Sequence, residues 1–259
     1  MKLKMSFPPF LLTLAIFLSV FHNALNACEL RVRMFEFPPQ AMQQEDSSWQ
    51  GMDVDYSEAL LKRVGCEARF INVPWARGLK MLREGELDMM LNLSDIDDRR
   101  DYIHFIGPQR VETLRLVSRK GALPMVSTWQ DMQMLDAVLI HQRGTYLGQG
   151  MEEVLAQNKE LSDALVPLIL DMRRIDMVIK GRADGFFMET SHLAYQLAND
   201  PSYQLIDIHP LEIYSEPVYF GISKKSVAQA LINKLQEAYL QMVIEGELQH
   251  IDNRYPKYF

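Results

Sequence analysis

Leu30, Val32 and Met34 alternate with Arg31 and Arg33, a period of two that predicts a strand with one buried face. The segment Phe35-Glu36-Phe37-Pro38-Pro39 stops it. After Asp53 the period becomes helical, with Val54, Leu60, Leu61 and Val64 on one side and Gly65 at the end. Residues 68–73 read as a strand again, and Trp75, Leu79 and Leu82 then recur at helical spacing as far as Gly85. Leu87–Leu93 is almost continuously apolar, as expected of a parallel strand covered on both faces.

This strand–helix–strand–helix–strand order predicts a parallel sheet with right-handed crossovers and places functional groups at the carboxyl ends of its strands. Phe35 and Phe37 follow the first strand, Trp75 the second, and Ser94 and Arg99 the third. A similar order returns later. Ala137–Ile140 reads as a strand, Gly144-Thr145 as the opening of a helix through Met151–Ala156, Leu168–Leu170 as a short apolar piece, and Ala183–Met188 as a strand. Residues 218–259 add a strand and a helix with Val227, Leu231, Leu235, Ala238 and Met242 on one face, ending before Gly246. The expected fold is α/β and two-lobed, each lobe a mostly parallel sheet flanked by helices. Residues 28–117 and 214–259 form the first lobe and 118–213 the second, joined by two extended hinge segments near Leu116–Lys120 and Glu212–Pro217.

The amino terminus changes where this fold is expected to reside. Lys2 and Lys4 precede an apolar run from Phe7 to Phe21, and small residues follow at Ala24 and Ala27, the layout of a removable secretory signal over residues 1–27. A membrane anchor is the competing reading, but Pro8 and Pro9 interrupt the run and it is short for a span. Export makes the 2 cysteines informative. Cys28 and Cys66 each stand just before a strand, so side-by-side parallel strands would bring them together for oxidation. We expect a Cys28–Cys66 disulfide. Two inert buried thiols are one alternative, and a lipoprotein box at Leu25-Asn26-Ala27-Cys28 is another, which Asn26 fits poorly.

The formal charge of -7 comes without a basic patch, so nucleic acid is not an expected partner. The 6 histidines show neither His-Glu-x-x-His nor close pairing, and no metal or other cofactor is implied.

Candidate chemistry concentrates between Val73 and Pro108. An aromatic, an apolar strand, a hydroxyl at an expected helix start and an arginine one turn on describe a site for a small carboxylate, because a guanidinium fork binds it through two parallel hydrogen bonds. Plainer readings stand beside these. Arg99 and Arg100 lie among Asp95, Asp97, Asp98 and Asp101 and suit a solvated helix with surface ion pairs. Ser94 suits a helix cap, with Asp97 completing a capping box. Trp75 suits core packing, and Glu189 the cap of a following segment. Arg99 is favoured as the ligand group and Arg100 as the surface one.

The ordered set of Gly51-Met-Asp-Val-Asp-Tyr-Ser-Glu-Ala-Leu-Leu-Lys-Arg63, the run from Pro74 to Asp88, Ser94-x-x-x-x-Arg99, Phe105-Ile-Gly-Pro108, Arg143-Gly-Thr145 and Gly181-Arg-Ala-Asp-Gly-Phe-Phe-Met-Glu189 resembles family 3 of the bacterial solute-binding proteins, the periplasmic amino-acid-binding type of ABC importers. The resemblance implies a type II periplasmic-binding-protein fold that closes on its ligand as a hinged trap. It gives Arg99 the ligand α-carboxylate, with Ser94 and, from the second lobe, Thr145 beside it. Glu189 matches an acidic position that takes the α-amino group, where the family more often has aspartate. Asn92, Trp75 and Tyr146 shape the side-chain end, and Phe35 or Phe37 covers the ligand. The implied protein is a periplasmic monomer that delivers a small polar ligand, an amino acid or related carboxylate, to an ABC permease without catalysis. The alternatives are a cyclohexadienyl-dehydratase-like enzyme using Glu189 or Glu212 as general acid, or a ligand-sensing subunit for a membrane partner.

Overall fold

The computed structural model of the chain describes residues 28–168 and 174–255. The expected leader over 1–27 lies outside them, as do residues 169 and 170 of the expected apolar piece. The alternating segment forms β1 (Cys28–Met34), with Leu30, Val32 and Met34 buried. A short hairpin of β2 (Met42–Gln43) and β3 (Trp49–Gln50) leads into α1 (Met52–Arg63). Then come β4 (Cys66–Asn72), α2 (Trp75–Glu84), β5 (Met89–Leu93) and a single turn, α3 (Asp97–Arg100). Gly85 ends α2 in the left-handed conformation, its N–H turned back to Leu82 and Met81, as glycine at a helix end does most readily.

The second half begins on β6 (Ile103–Arg119) and continues through α4 (Trp129–Gln133), β7 (Leu139–Gln142), α5 (Gln149–Gln157), α6 (Lys159–Ala164), β8 (Leu165–Leu168), α7 (Arg174–Ile179), β9 (Gly185–Glu189) and α8 (Thr190–Asn199). The chain returns on β10 (Ile206–Ser223) and finishes its described part with α9 (Gln229–Ile244) and α10 (Glu247–Arg254).

The strands lie in the order β4-β1-β5-β10-β6-β9-β7-β8. β4, β1 and β5 are parallel at one end and β9, β7 and β8 at the other. Between them β6 and β10 run antiparallel to each other along nearly their whole length. Ile103 and Ile106 of β6 and Phe220 and Ile222 of β10 pack in the first half, whereas Leu114, Leu116, Leu211 and Ile213 of the same strands pack in the second. Two long strands thus belong to both halves; residues 212–217 lie within β10, and Leu116 and Val117 lie near the end of β6, packed in the second half.

Cys28 stands opposite Cys66 in the parallel register of β1 and β4, and the two form a disulfide with Cα atoms 4.4 Å apart. Arg31, on the polar side of β1, gives a fork of 2.8 and 2.7 Å hydrogen bonds to the Asp88 carboxylate, tying β1 to the start of β5.

Two expectations about helix starts are corrected. The helix expected at Gly144-Thr145 begins only at Gln149, capped by Gly148. Thr145 lies in the preceding turn, and its N–H donates to the Gln142 carbonyl at 3.1 Å. Gly148 brings the backbone against the Tyr214 ring at a φ of 88°, a conformation suited to glycine that delays the helix. Nor does Ser94 cap a helix, because α3 starts at Asp97 with Ile96 as its cap.

Gly51 connects fold to site. At a φ of 128°, a Cβ here would lie 2.4 Å from the Gln40 carbonyl oxygen and 2.7 Å from that of Pro39. Those two carbonyls receive the first N–H groups of α1, from Met52 and Asp53, at 3.2 and 2.9 Å. Gly51→Ala is expected to cost at least about 1–3 kcal/mol for the backbone conformation alone, with the steric clash added. A urea midpoint equal to that of the parent protein would refute this.

Candidate functional site

A cavity of about 80 Å³ lies between the two halves of the molecule. All nine residues singled out from the sequence line it: Phe35, Phe37, Trp75, Asn92, Ser94, Arg99, Thr145, Tyr146 and Glu189. The carboxyl ends of β1, β4 and β5 deliver the first six, as a parallel sheet should. The turn after β7 and the end of β9 deliver the others.

Arg99 is 5% exposed. It donates to the Ser94 carbonyl at 3.0 Å and, across the cleft, to the Gly144 carbonyl at 2.9 Å. Among the described residues it makes no ion pair with a carboxylate, and burial lowers its pKa. Arg100 takes the surface role, pairing with Asp95 and Asp97 at 2.7 Å each. Trp75, 9% exposed, belongs to the core and lines the cavity. It packs with Val73, Leu82 and Met90, and its indole N–H donates to the same Gly144 carbonyl at 3.1 Å. The Ser94 hydroxyl accepts from Tyr214 at 3.1 Å, and Tyr214 meets Tyr146 edge to face at 6.0 Å. Phe37 stacks on His192 with centroids 4.1 Å apart, and the Arg33 guanidinium lies over the rings of Phe35 and Trp75.

Asn92 adopts a positive φ of 58°, which asparagine tolerates better than most residues. Its backbone N–H donates to Gln109 at 3.0 Å, its side-chain amide donates to Asp53 Oδ2 at 2.7 Å, and its Oδ1 accepts from Arg110 at 3.3 Å. Through it the end of β5 joins a buried charge cluster that the sequence reading missed. Arg110 pairs there with Glu112 at 3.3 Å and Glu189 at 3.4 Å, while Asp53 lies within its field. Burial pushes Asp53 up to about 6, with Arg110 and Asn92 pulling the other way. It pushes Glu112 up to about 7 against the pull of Arg110. For Arg110 burial acts downward, but the carboxylates of Glu189, Glu112 and Asp53 prevail and hold the guanidinium above its ordinary value.

Alternation was the signal that could have found two of these groups, since Arg110, Glu112 and Leu114 share one face of β6. Asp53 lies inside the first turn of α1 rather than before it, and acids there resemble ordinary dipole compensation. Gln40, His141, Gln142 and Arg174 complete the surroundings without a sequence signal.

Glu189 has two roles at once. It caps α8 by accepting from the His192 N–H at 2.8 Å, as its plainer reading anticipated, and it also faces the cavity. His192 is buried, hydrogen-bonded to the Pro38 carbonyl, and held down at about 4 by burial, which outweighs that carbonyl. Glu212, the other acid considered for catalysis, lies outside the cavity lining and pairs with Arg115 at 3.1 Å.

Comparison with known proteins now bears on this geometry. Over 123 residues the chain is 27% identical to the L-cystine-binding protein TcyJ of Escherichia coli (strain K12). That match covers 47% of this chain and 44% of TcyJ, so the chain spans less than half the length of that relative. It is 23% identical over 229 residues to a probable histidine-binding protein of Neisseria gonorrhoeae, covering 86% of this chain and 80% of that one. An ancestral arginine-binding protein bound to glutamine shares the fold with a TM-score of 0.72 and 21% identity, covering 88% of this chain and 97% of that one. The two-lobed periplasmic-binding-protein architecture expected from the sequence is thereby established. Among the described residues no helix is long and apolar enough to cross a membrane. The family model matched over residues 30–258 decides the assignment: the chain belongs to the bacterial extracellular solute-binding proteins, family 3.

Proposed function

We propose that the protein is a periplasmic receptor that traps an amino acid between its lobes and hands it to the membrane permease of an ABC importer. The second lobe takes the chain from Leu114 to Val218 and the first lobe the rest of the described residues, and closure bends β6 and β10. A ligand that contacts both lobes favours the closed form by its differential affinity, so capture is a population shift.

One observation carries this reading. Arg99 is a buried guanidinium lining an interlobe cavity, and its hydrogen bonds go to backbone carbonyls rather than to a carboxylate of the protein. A ligand carboxylate supplies the anion that such a fork accommodates best. The names of the relatives, which bind cystine or histidine, support an amino acid as the ligand class. The disulfide suits an exported protein, and a Cys28 sulfur joined to Cys66 is not available for a thioether lipid.

Binding is favoured over catalysis. The two acids considered for a dehydratase-like reaction are Glu212, which lies outside the cavity, and Glu189, whose oxygens are occupied by protein donors. A sensing role would present the same closed form to a different membrane partner.

Thermal unfolding against a panel of amino acids tests the proposal. A ligand at a hundredfold excess over its dissociation constant adds about 2.7 kcal/mol, enough to raise the midpoint by several degrees. If no amino acid moves the midpoint of folded protein freed of carried-over ligand, the receptor reading is lost.

A further inference from the structure

The family resemblance gives the ligand amine to the acid at position 189, but here that acid is already engaged. A carboxylate offers about four lone-pair sites, and Glu189 has four protein donors. Oε1 accepts from Arg110 at 3.4 Å and Ser191 at 3.0 Å, and Oε2 accepts from Gln40 at 2.7 Å and the His192 N–H at 2.8 Å. These donors come from the loop after β1, from β6 and from α8. Glu189 therefore ties together segments on both sides of the cleft.

Two other acids of the cavity retain acceptor capacity. Asp53 is 6% exposed; its Oδ2 accepts from Asn92, while its buried Oδ1 has no hydrogen-bond partner. Glu112 uses Oε1 on Arg110, and among the described residues Oε2 has no hydrogen bond. The single charge of Arg110 is shared among Asp53, Glu112 and Glu189. Arg33 and Arg174 also line the cavity. Arg33 gives its Nε to the Val73 carbonyl and lies over Phe35 and Trp75; Arg174 donates to the Phe187 carbonyl and lies over Phe186.

We propose that the preferred ligand is a basic amino acid whose two cationic groups are received by Asp53 and Glu112, with Glu189 acting as a positioning residue that holds the lobes together. This rests on the reading of the cavity as an amino-acid trap and extends it to a ligand class. A zwitterion with one additional cation matches the site: its carboxylate meets Arg99, and its two cations add pairing to carboxylates that Arg110 and Arg33 compensate only in part. The upward displacement of Asp53 to about 6 and Glu112 to about 7 agrees, because it persists with Arg110 and Arg33 acting on Asp53 and Arg110 acting on Glu112. Basic ligands then bind more weakly as the pH falls through that range, since the two acids must be ionised to receive them.

The test is calorimetric titration at pH 7.5 and 5.5 with L-arginine and L-lysine against the neutral L-citrulline and L-glutamine. The parent protein is compared with Asp53→Asn, Glu112→Gln and Glu189→Gln. At pH 7.5 the better basic ligand should bind about 100-fold more tightly than its neutral counterpart, as a buried charge pair warrants. That preference should shrink at pH 5.5 as the acid paired with the side-chain cation protonates, and this pH dependence should vanish once that acid is replaced, whereas an effect of His141, a cavity neighbour whose protonation would also repel an added cation, would persist in both acid variants. Of Asp53→Asn and Glu112→Gln, the one at the acid that receives the side-chain cation should cut the preference, and the one at the acid that receives the α-ammonium should weaken basic and neutral ligands alike. Glu189→Gln should weaken both ligand types equally. Neutral ligands binding as tightly as basic ones, or a preference that survives both acid substitutions, would overturn the proposal and leave the amino-acid trap standing. Failure of every amino acid to bind folded protein would overturn the trap reading and this proposal with it.

Discussion

Arg99→Ala is expected to weaken ligand binding by about 1.5 to 3.5 orders of magnitude while leaving the ligand-free fold in place. Truncating one partner of a buried, hydrogen-bonded charge pair costs about 2–5 kcal/mol of binding free energy, and the buried fork of Arg99 is the group placed to form such a pair with a ligand carboxylate. Its present acceptors are the carbonyls of Ser94 and Gly144. Gly144 keeps the Trp75 indole donor in the variant, so unfolding stability should change by only about 1 kcal/mol. Arg99→Lys separates charge from geometry, since lysine supplies the cation without the planar fork. Its affinity should fall between those of the parent and the alanine variant. Calorimetric titration, read beside a thermal unfolding curve for each protein, measures both effects. Parent-like affinity in Arg99→Ala would remove Arg99 from the site.

Replacing Cys28 and Cys66 together by serine is expected to lower unfolding stability by about 4 kcal/mol with ligand affinity preserved. The bridge closes a loop with a sequence separation of 38, and the chain-entropy model assigns about 3.9 kcal/mol to constraining a loop of that length in the unfolded state. For a chain of this size the midpoint should fall by about 8–16 °C. Binding should survive because the cysteines open β1 and β4, whereas Phe35 and Trp75 follow the other ends of those strands. Equilibrium unfolding with and without reductant supplies the measurement. An unchanged midpoint in the double-serine protein would show that the bridge does not constrain the unfolded chain.

The parts of the site that were legible share a local origin. Phe35, Trp75, Ser94 and Arg99 stand just beyond strands that hydrophobic periodicity reveals, and strand ends are where a parallel sheet exposes its groups. The disulfide was legible for the related reason that two parallel neighbours begin at the same edge. Ser94 shows the limit of such reading. It lines the cavity but does not cap a helix, because the following helix starts at Asp97, and its hydroxyl instead accepts from Tyr214, 120 residues away in sequence. Thr145 reached the cavity from a turn instead of a helix start, since the close approach of Gly148 to Tyr214 postpones α5.

Asp53, Arg110 and Glu112 were not legible as a cluster. Each has an unremarkable local explanation, and their mutual field arises only when α1, β5 and β6 converge. The resemblance gives Glu189 the ligand amine, but its four donors lie on three separate segments.

The sequence alone determined the alternation of strands and helices, the pairing of Cys28 with Cys66 and the family to which the chain belongs, because these follow from periodicity and short ordered motifs. The tertiary structure decided which acids have an unused acceptor and which are occupied, since burial and partnership depend on segments that meet only after folding. Charge in this cavity is governed by desolvation and by neighbours within a few ångströms, and neither quantity is local in the chain.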